Sequence, residues 1–324
     1  MSSRAAAPEP PGTSIVTDDI AYPADSGLAR AIRAGAFALT AELVPPVSGA
    51  PEPLRAAAAP YKGILDAVNV TDGPRAQVHT SGLAVAGLMV RDGIEPILQV
   101  TCRDRNRIAL QMDLLGASAL GVRNVLLMSG DRPEEGEDAP KPVFDVGTEE
   151  LIALAAAMRE GGALPSGRRI AAPPRLFIGA ADMPVDPRPG WKPDGLMRKI
   201  DAGARFVQTQ LCYDIGVVRR YIAALNDAGV TGRAAILIGL GPLASARSAR
   251  WMRENLYGVI VPDALIDRME RAADQKAEGI AVCAELLAEL AGIDGVAGAH
   301  LMAPANPDCI PATVERARLG PAFR

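Results

Sequence analysis

Residues 95–133 read EPILQVTCRDRNRIALQMDLLGASALGVRNVLLMSGDRP. The run at 95–101 is apolar enough for a buried strand. From Asp104 to Ala119 apolar residues recur at three and four, the spacing of one helix face. A second apolar run at 123–129 supplies the next strand. Two strands joined through a helix run parallel, because the crossover returns the chain to the same end of the sheet. The same alternation extends outward on both sides. Strand-like runs stand at 37–43 (FALTAEL) and 65–71 (LDAVNVT), then at 175–181 (RLFIGAA), 204–210 (ARFVQTQ), 234–239 (AAILIG) and 296–302 (VAGAHLM). A short helix from Ser26 to Ala34 precedes the first, and another runs from Asp214 to Ala228. About eight such units in about 290 residues predict a single α/β (β/α)8 TIM barrel, with an open doubly wound sheet as the rival.

The ends of the chain predict a different character. Residues 1–25 are rich in Pro, Ala and Ser and are expected to be a flexible N-terminal arm. Residues 26–324 are expected to be the catalytic barrel, with a Pro-rich C-terminal tail from Pro304 that wraps it without a core of its own. Extra Gly, Pro and Arg-rich material at 161–174 precedes the fifth strand. No composition shift marks a second domain.

Composition narrows the chemistry. The 324 residues carry 34 Lys and Arg against 38 Asp and Glu, a net charge of −4, which argues against non-specific binding to nucleic acid. Aromatic residues make up 4%, too few for base-stacking platforms. There are two histidines, His79 and His300, so a His-rich metal site is excluded. Cys102, Cys212, Cys283 and Cys309 form no CxxC pair or finger spacing and read as buried thiols in a reducing compartment. No signal-like apolar core follows Met1, and no run is long enough to cross a bilayer. A soluble, cytoplasmic protein is expected.

In a barrel of this kind the chemistry sits at the C-terminal strand ends. Those ends carry Glu42, Thr71, Gln99 with Thr101, Ser129 with Asp131, Asp182, Gln210, Gly239 and His300. The ring is dominated by carboxylates and amides and has almost no imidazole, so proton chemistry there falls to the carboxylates. Glu42 lies beside Leu43 and Val44, ahead of Pro45 and Pro46, where desolvation raises a carboxyl toward general-acid duty; an ordinary surface glutamate is the plainer reading. Asp104 is placed to cap the following helix, with Arg103 and Arg105 solvated or facing an anion. Gly130 and Asp131 form either a simple turn or a flat-ligand contact. Lys199 is a last-turn cation, and Gln210 faces the mouth if Gln208 shares its side. Gly239-Leu240-Gly241-Pro242-Leu243-Ala244 matches GxGxxG/A in form, but it stands late in the chain, and Pro242 removes a donor, so a turn after the seventh strand is the expected reading.

Taken together, AELVPP around Glu42, DAVNVTD around Thr71, QVTCRDRN with LLGASALGVRNVLLMSGDRP, KIDAGARFVQTQ and VPDALIDRME resemble the methylenetetrahydrofolate reductase family, in its compact bacterial or archaeal form. The resemblance spans roughly Phe37 to Met302. It implies a barrel that binds FAD and reduces 5,10-methylenetetrahydrofolate to 5-methyltetrahydrofolate with NADH or NADPH. Glu42 then matches the general acid that protonates folate N10. Asp131 matches the aspartate that orients the pterin and tunes the flavin, and Gln210 a contact to folate and nicotinamide. Thr71, Ser129, Gly130 and Lys199 fall on flavin-contacting positions. Gln99 stands where many relatives have His, and Asp182 and Asp186 stand where they have Tyr and His near the FAD ribose and pyrophosphate. Arg188, Arg198 or Lys199 would then offset the added charge. Val47 replaces a basic residue, and no tail-binding Arg is recognisable near Ala305 and Asn306. The resemblance also leaves open a flavin-free hydride transfer from NADH, a non-catalytic pterin- or flavin-binding partner in methyl transfer, reversal of the reaction, and a homo-oligomer.

Overall fold

Eight short segments rich in Val, Ile, Leu and Ala become strands, and the computed structural model closes them into one parallel barrel in simple sequence order. It describes residues 25–134, 139–304 and 306–318; the N-terminal arm expected from the sequence lies almost wholly outside them. The strands are β1 Ala38–Leu43, β2 Ala67–Val70, β3 Pro96–Thr101, β4 Asn124–Met128, β5 Phe177–Asp182, β6 Phe206–Leu211, β7 Ala235–Leu240 and β8 Val296–Leu301. Closure comes from β1 on β8, with Ala38 opposite Gly298 and Thr40 opposite His300. Every predicted strand is present, each within about two residues of its expected ends.

The helices are α1 Gly27–Arg33, α2 Pro51–Ala58, α3 Gly82–Arg91, α4 Arg107–Ala119, α5 Thr148–Gly161, α6 Asp194–Asp201, α7 Ile215–Asp227, α8 Ala246–Asn255, α9 Asp263–Arg271, α10 Gln275–Ala291 and α11 Cys309–Arg318. Two sequence expectations are corrected here. Asp104 does not cap α4: Asn106 does, its side chain accepting from Ala109 N at 3.0 Å, because Asp104 is drawn to the Arg103 guanidinium instead. The C-terminal tail does contribute a core. In α11, Cys309, Ile310, Val314 and Ala317 are buried, and the last three join the main apolar cluster.

Two apolar layers hold the barrel. The larger one lies between the outer strand faces and the helices. The smaller fills the interior at the strand N-terminal end, where Phe177 and Phe206 meet at 4.8 Å between ring centroids. Gly179 leaves room for that pair, since a Cβ there would lie 2.2 Å from the Phe206 ring. Helix α1 plugs this end with Leu28, Ala29 and Ile32. Glu95 anchors its first turn by accepting from Gly27 N at 2.6 Å and Leu28 N at 3.0 Å, a carboxylate at a helix N-terminus. With that end sealed, the open end of the barrel is the C-terminal one.

Candidate active site

Side chains facing inward change from apolar to polar along the barrel axis. Above the Phe177 and Phe206 layer lies a buried amide and hydroxyl cluster. Asn69 Nδ2 donates to Gln208 Oε1 at 2.6 Å, and Gln208 Nε2 returns a bond to Asn69 Oδ1 at 3.0 Å. Gln208 Nε2 also reaches Thr40 Oγ1 at 3.0 Å, which contacts His300 Nδ1 at 3.0 Å. Burial pushes the His300 imidazole down to about 3, so the ring is neutral. This cluster forms a rigid floor because its polar groups satisfy one another. Sequence reasoning named His300 and Gln208 only in passing and missed Asn69 and Thr40. The available signal was polar residues inside otherwise apolar strands.

On this floor opens a cavity of about 430 Å³ at the strand C-terminal ends. Of the residues singled out from the sequence, Glu42, Thr71, Gln99, Gly130, Asp131, Asp182, Lys199 and Gln210 all line it. Ser129 does not. Its side chain is exposed and its carbonyl accepts from Cys102 N.

Glu42 is the most desolvated acid of the group. Burial raises its carboxyl above the usual range, and a long hydrogen bond from Gln99 Nε2, 3.4 Å to Oε2, opposes this only in part. Asp182, at the end of β5, is also pushed up by burial. It accepts a short bond from the buried Tyr221 hydroxyl and lies 3.9 Å from Lys199 Nζ. Lys199 itself donates to Ala181 O at 2.6 Å. Asp186 is neutralised from another direction than expected, since Arg220 grips it through two bonds. Arg198 is taken by Glu149.

The opposite wall is built by an ionic lattice. Asp72 accepts from Thr101 N at 2.8 Å and Thr101 Oγ1 at 2.9 Å, and also pairs with Arg105. Arg103 is buried, bound to both Asp104 oxygens and to the Asp72 and Asp131 carbonyls. Arg103 is therefore not solvated, while Arg105 is half-buried with its terminal nitrogens held by Asp72 and Asp113. Sequence reasoning did not single out Asp72. Asp131 is exposed at the rim and accepts from Arg75 N at 3.1 Å. Arg75 and Ala76 both hold positive φ, near 57° and 55°, a strained bend that fixes the loop beside Asp131.

Gln210 lines the cavity, yet its amide is turned to the rim, donating to Tyr257 O at 3.1 Å and accepting from Leu211 N at 3.0 Å. A bulge between Gln208 and Leu211 breaks the strand alternation here, so Gln208, Thr209 and Gln210 all reach the same cavity. The GxGxxG-like turn resolves as strand packing. A Cβ on Gly239 would lie 2.2 Å from Thr209 O, and one on Gly241 would lie 1.8 Å from Met302 O. Helix α8 that follows is closed by a Ser245–Ser248 capping box. All four cysteines are buried thiols. Among the described residues no cluster of metal-ligating side chains occurs, and no helix is long and apolar enough to cross a membrane.

A barrel sealed at one end, with two carboxyls raised by burial in the cavity at the other, defines the class: a (β/α)8-barrel protein with a polar cavity at its strand C-terminal ends. Residues 28–318 match the family model described as methylenetetrahydrofolate reductase, and the chain belongs to that family. It is 26% identical over 198 residues to a probable methylenetetrahydrofolate reductase (NADPH) of Caenorhabditis elegans, covering 60% of this chain and 27% of that protein. The match thus spans little more than a quarter of that relative. A Clostridium thermocellum protein described as binding two copies of 5-methyl-5,6,7,8-tetrahydrofolic acid shares the fold. Its TM-score is 0.60 at 12% identity, over 90% of this chain and 97% of that one.

Proposed function

We propose that this protein reduces 5,10-methylenetetrahydrofolate to 5-methyltetrahydrofolate, with NADH or NADPH as the hydride source and Glu42 as the general acid. The observation that carries this reading is a glutamic acid whose carboxyl is raised above its usual range by burial and lines the mouth cavity, in a chain of this family. Opening the five-membered ring of the substrate breaks a carbon–nitrogen bond. The leaving N10 must gain a proton as the bond breaks, and a carboxyl with a raised pKa is suited to give it. Gln99 holds Glu42 from the cavity side. Asp131, fixed by the Arg75 backbone, orients the polar edge of the pterin, and Gln210 contacts folate or nicotinamide at the rim.

The same cavity suits a flavin ring. The Thr71 hydroxyl is buried and has no hydrogen-bond partner, and it lines the wall with Gln99, Gly130 and Lys199. These residues, with Asp182, would hold FAD, while Ser129 stands outside the cavity. When bound, FAD supplies the hydride relay between the nicotinamide and the folate. One observation favours a second reading, in which hydride passes directly from NADH to folate. Lys199, the one lining cation with donors to spare, already faces Asp182, which leaves little positive charge for a second pyrophosphate.

The test is folate-dependent oxidation of NADH and NADPH by the purified protein, with and without added FAD. Turnover is expected, and Glu42→Gln should lower kcat by about 10²–10⁴-fold while folate still binds. Absence of turnover under every condition overturns the reading, and unchanged kcat in Glu42→Gln removes the acid role. A flavin absorption band that bleaches with NADH decides for FAD over direct transfer.

A further inference from the structure

Glu42 is a wall between two cavities. Behind it, away from the mouth, lies a second space of about 270 Å³ under the segments that follow β1 and β8, lined among others by Val44, Ala57, Tyr61 and Asp308. Its walls are mainly Ala, Val, Leu and Pro, with three polar groups. One is the Glu42 carboxyl. The second is Tyr61, a buried residue of the 3-10 turn Ala59–Tyr61. The third is Asp308, which is exposed. Among the described residues the Tyr61 hydroxyl and the Asp308 carboxylate have no hydrogen-bond partner, and Glu42 has one, on Oε2, from the mouth side. Burial pushes the Tyr61 hydroxyl up to about 12, and the charges of Asp308 and Glu42 add to the shift, so this phenol keeps its proton and senses both acids.

A space of this size holds several waters, and three polar groups are enough to order them. Their order matters because of what happens at Glu42. If Glu42 gives its proton to the substrate, as proposed above, the substrate then fills the mouth and shields the carboxylate left behind. That carboxylate is desolvated on the mouth side and must regain one proton per turnover.

We infer that the cavity behind Glu42 is its proton-entry route, running from Asp308 at the solvent end through a water chain ordered by Tyr61 to the free oxygen of Glu42. In this route a water hydrogen-bonded to Glu42 gives up a proton and takes another from the chain. The last water is replenished from bulk solvent beside Asp308, so one solvent proton enters for each proton delivered to the substrate. Tyr61 is a positioning residue: it acts through the waters and does not touch the substrate. The inference rests on the general-acid role of Glu42, and its test is chosen to separate the two.

The test compares Tyr61→Phe, which removes the hydroxyl, with Ala57→Leu, which fills the space, and with Glu42→Gln. In both route variants the first turnover of protein equilibrated with solvent should keep the wild-type rate. Steady-state kcat should fall several-fold, KM for folate should stay, and the solvent deuterium effect on kcat should grow. A crystal structure should show ordered water touching Glu42 Oε1 and the Tyr61 hydroxyl. A dry cavity overturns the route, as do route variants with wild-type kcat and isotope effect while Glu42→Gln is inactive. Full turnover by Glu42→Gln instead overturns the acid role itself, and the route with it.

Discussion

At the scale of single residues, the site is governed by which acids lose their water. Glu42 in β1 and Asp131 just beyond β4 line one cavity from separate strands; burial raises the Glu42 carboxyl, whereas Asp131 is exposed at the rim. In the proposed reaction the buried acid would carry the proton and the exposed one would make a polar contact, a division made by environment and not by residue type. The expected consequence is a pH profile. If Glu42 is the general acid proposed above, its active form is the protonated one, and kcat should decline as pH rises through its elevated pKa. In Glu42→Gln this limb should vanish from the residual rate. A limb that persists unchanged in the variant would assign the titration to another group, with Asp182 first in line because burial raises it as well. Residue identities alone could not sort these acids. Desolvation depends on what the other seven strands bring to the mouth, and that information is spread over the whole chain.

At the scale of elements, backbone proximity decides where glycine is required. A Cβ on Gly279 in α10 would lie 1.8 Å from Leu243 O, whereas one on Gly116 in α4 would meet only Leu83 Cδ2, at 3.7 Å. Two substitutions of the same kind should therefore have opposite signs. Gly279→Ala should cost about 1–3 kcal/mol, since α10 must back away from the turn after β7. Gly116→Ala should gain about 0.4–1 kcal/mol through the unfolded chain. Chemical denaturation of both variants checks this, and a stabilised Gly279→Ala would refute the packing argument. Strands and helices themselves were legible in the sequence, because periodicity is a local signal. FALTAEL, PILQVT and FVQTQ announce their burial without reference to anything distant. The α4 cap was misread because Asp104 and Asn106 are both good caps, and only the fold reveals that Arg103 claims the aspartate. Tail helix α11 was missed because Pro304, Pro307 and Pro311 suggest irregular chain, although proline in a first helical turn is tolerated. The bulge that turns Gln210 toward the rim leaves no local mark at all.

At the scale of the whole molecule, polarity rises along the barrel axis, from the α1 plug through the phenylalanine pair and the amide floor to the acids of the mouth. This gradient places groups of opposite pH response one above the other. Glu42 and Asp182 are raised by burial, so they bind protons more tightly in the folded state. Their contribution to stability is present at low pH and is lost as pH rises through the folded values. His300 is lowered from 6.5 to about 3. Its contribution is full above 6.5 and is lost as pH falls from there toward 3, where the unfolded chain takes a proton that the folded one refuses. Surface pairs such as Asp186 with Arg220 also weaken in acid, but they are exposed and screened, so their share is small. The carboxyls and the imidazole therefore pull stability in opposite directions over the acidic pH range they share. In His300→Gln the floor keeps an amide in place of the ring while the titration is gone. Its midpoint of thermal unfolding should fall less steeply than that of the wild type between pH 6.5 and 4. Glu42→Gln should do the reverse, because it removes a contribution that declines as pH rises from 4.5 and so leaves the fall toward acid steeper. Parallel acid limbs in His300→Gln and wild type would mean that the imidazole is not held neutral by burial, and that the floor beneath the site takes up protons along with the mouth.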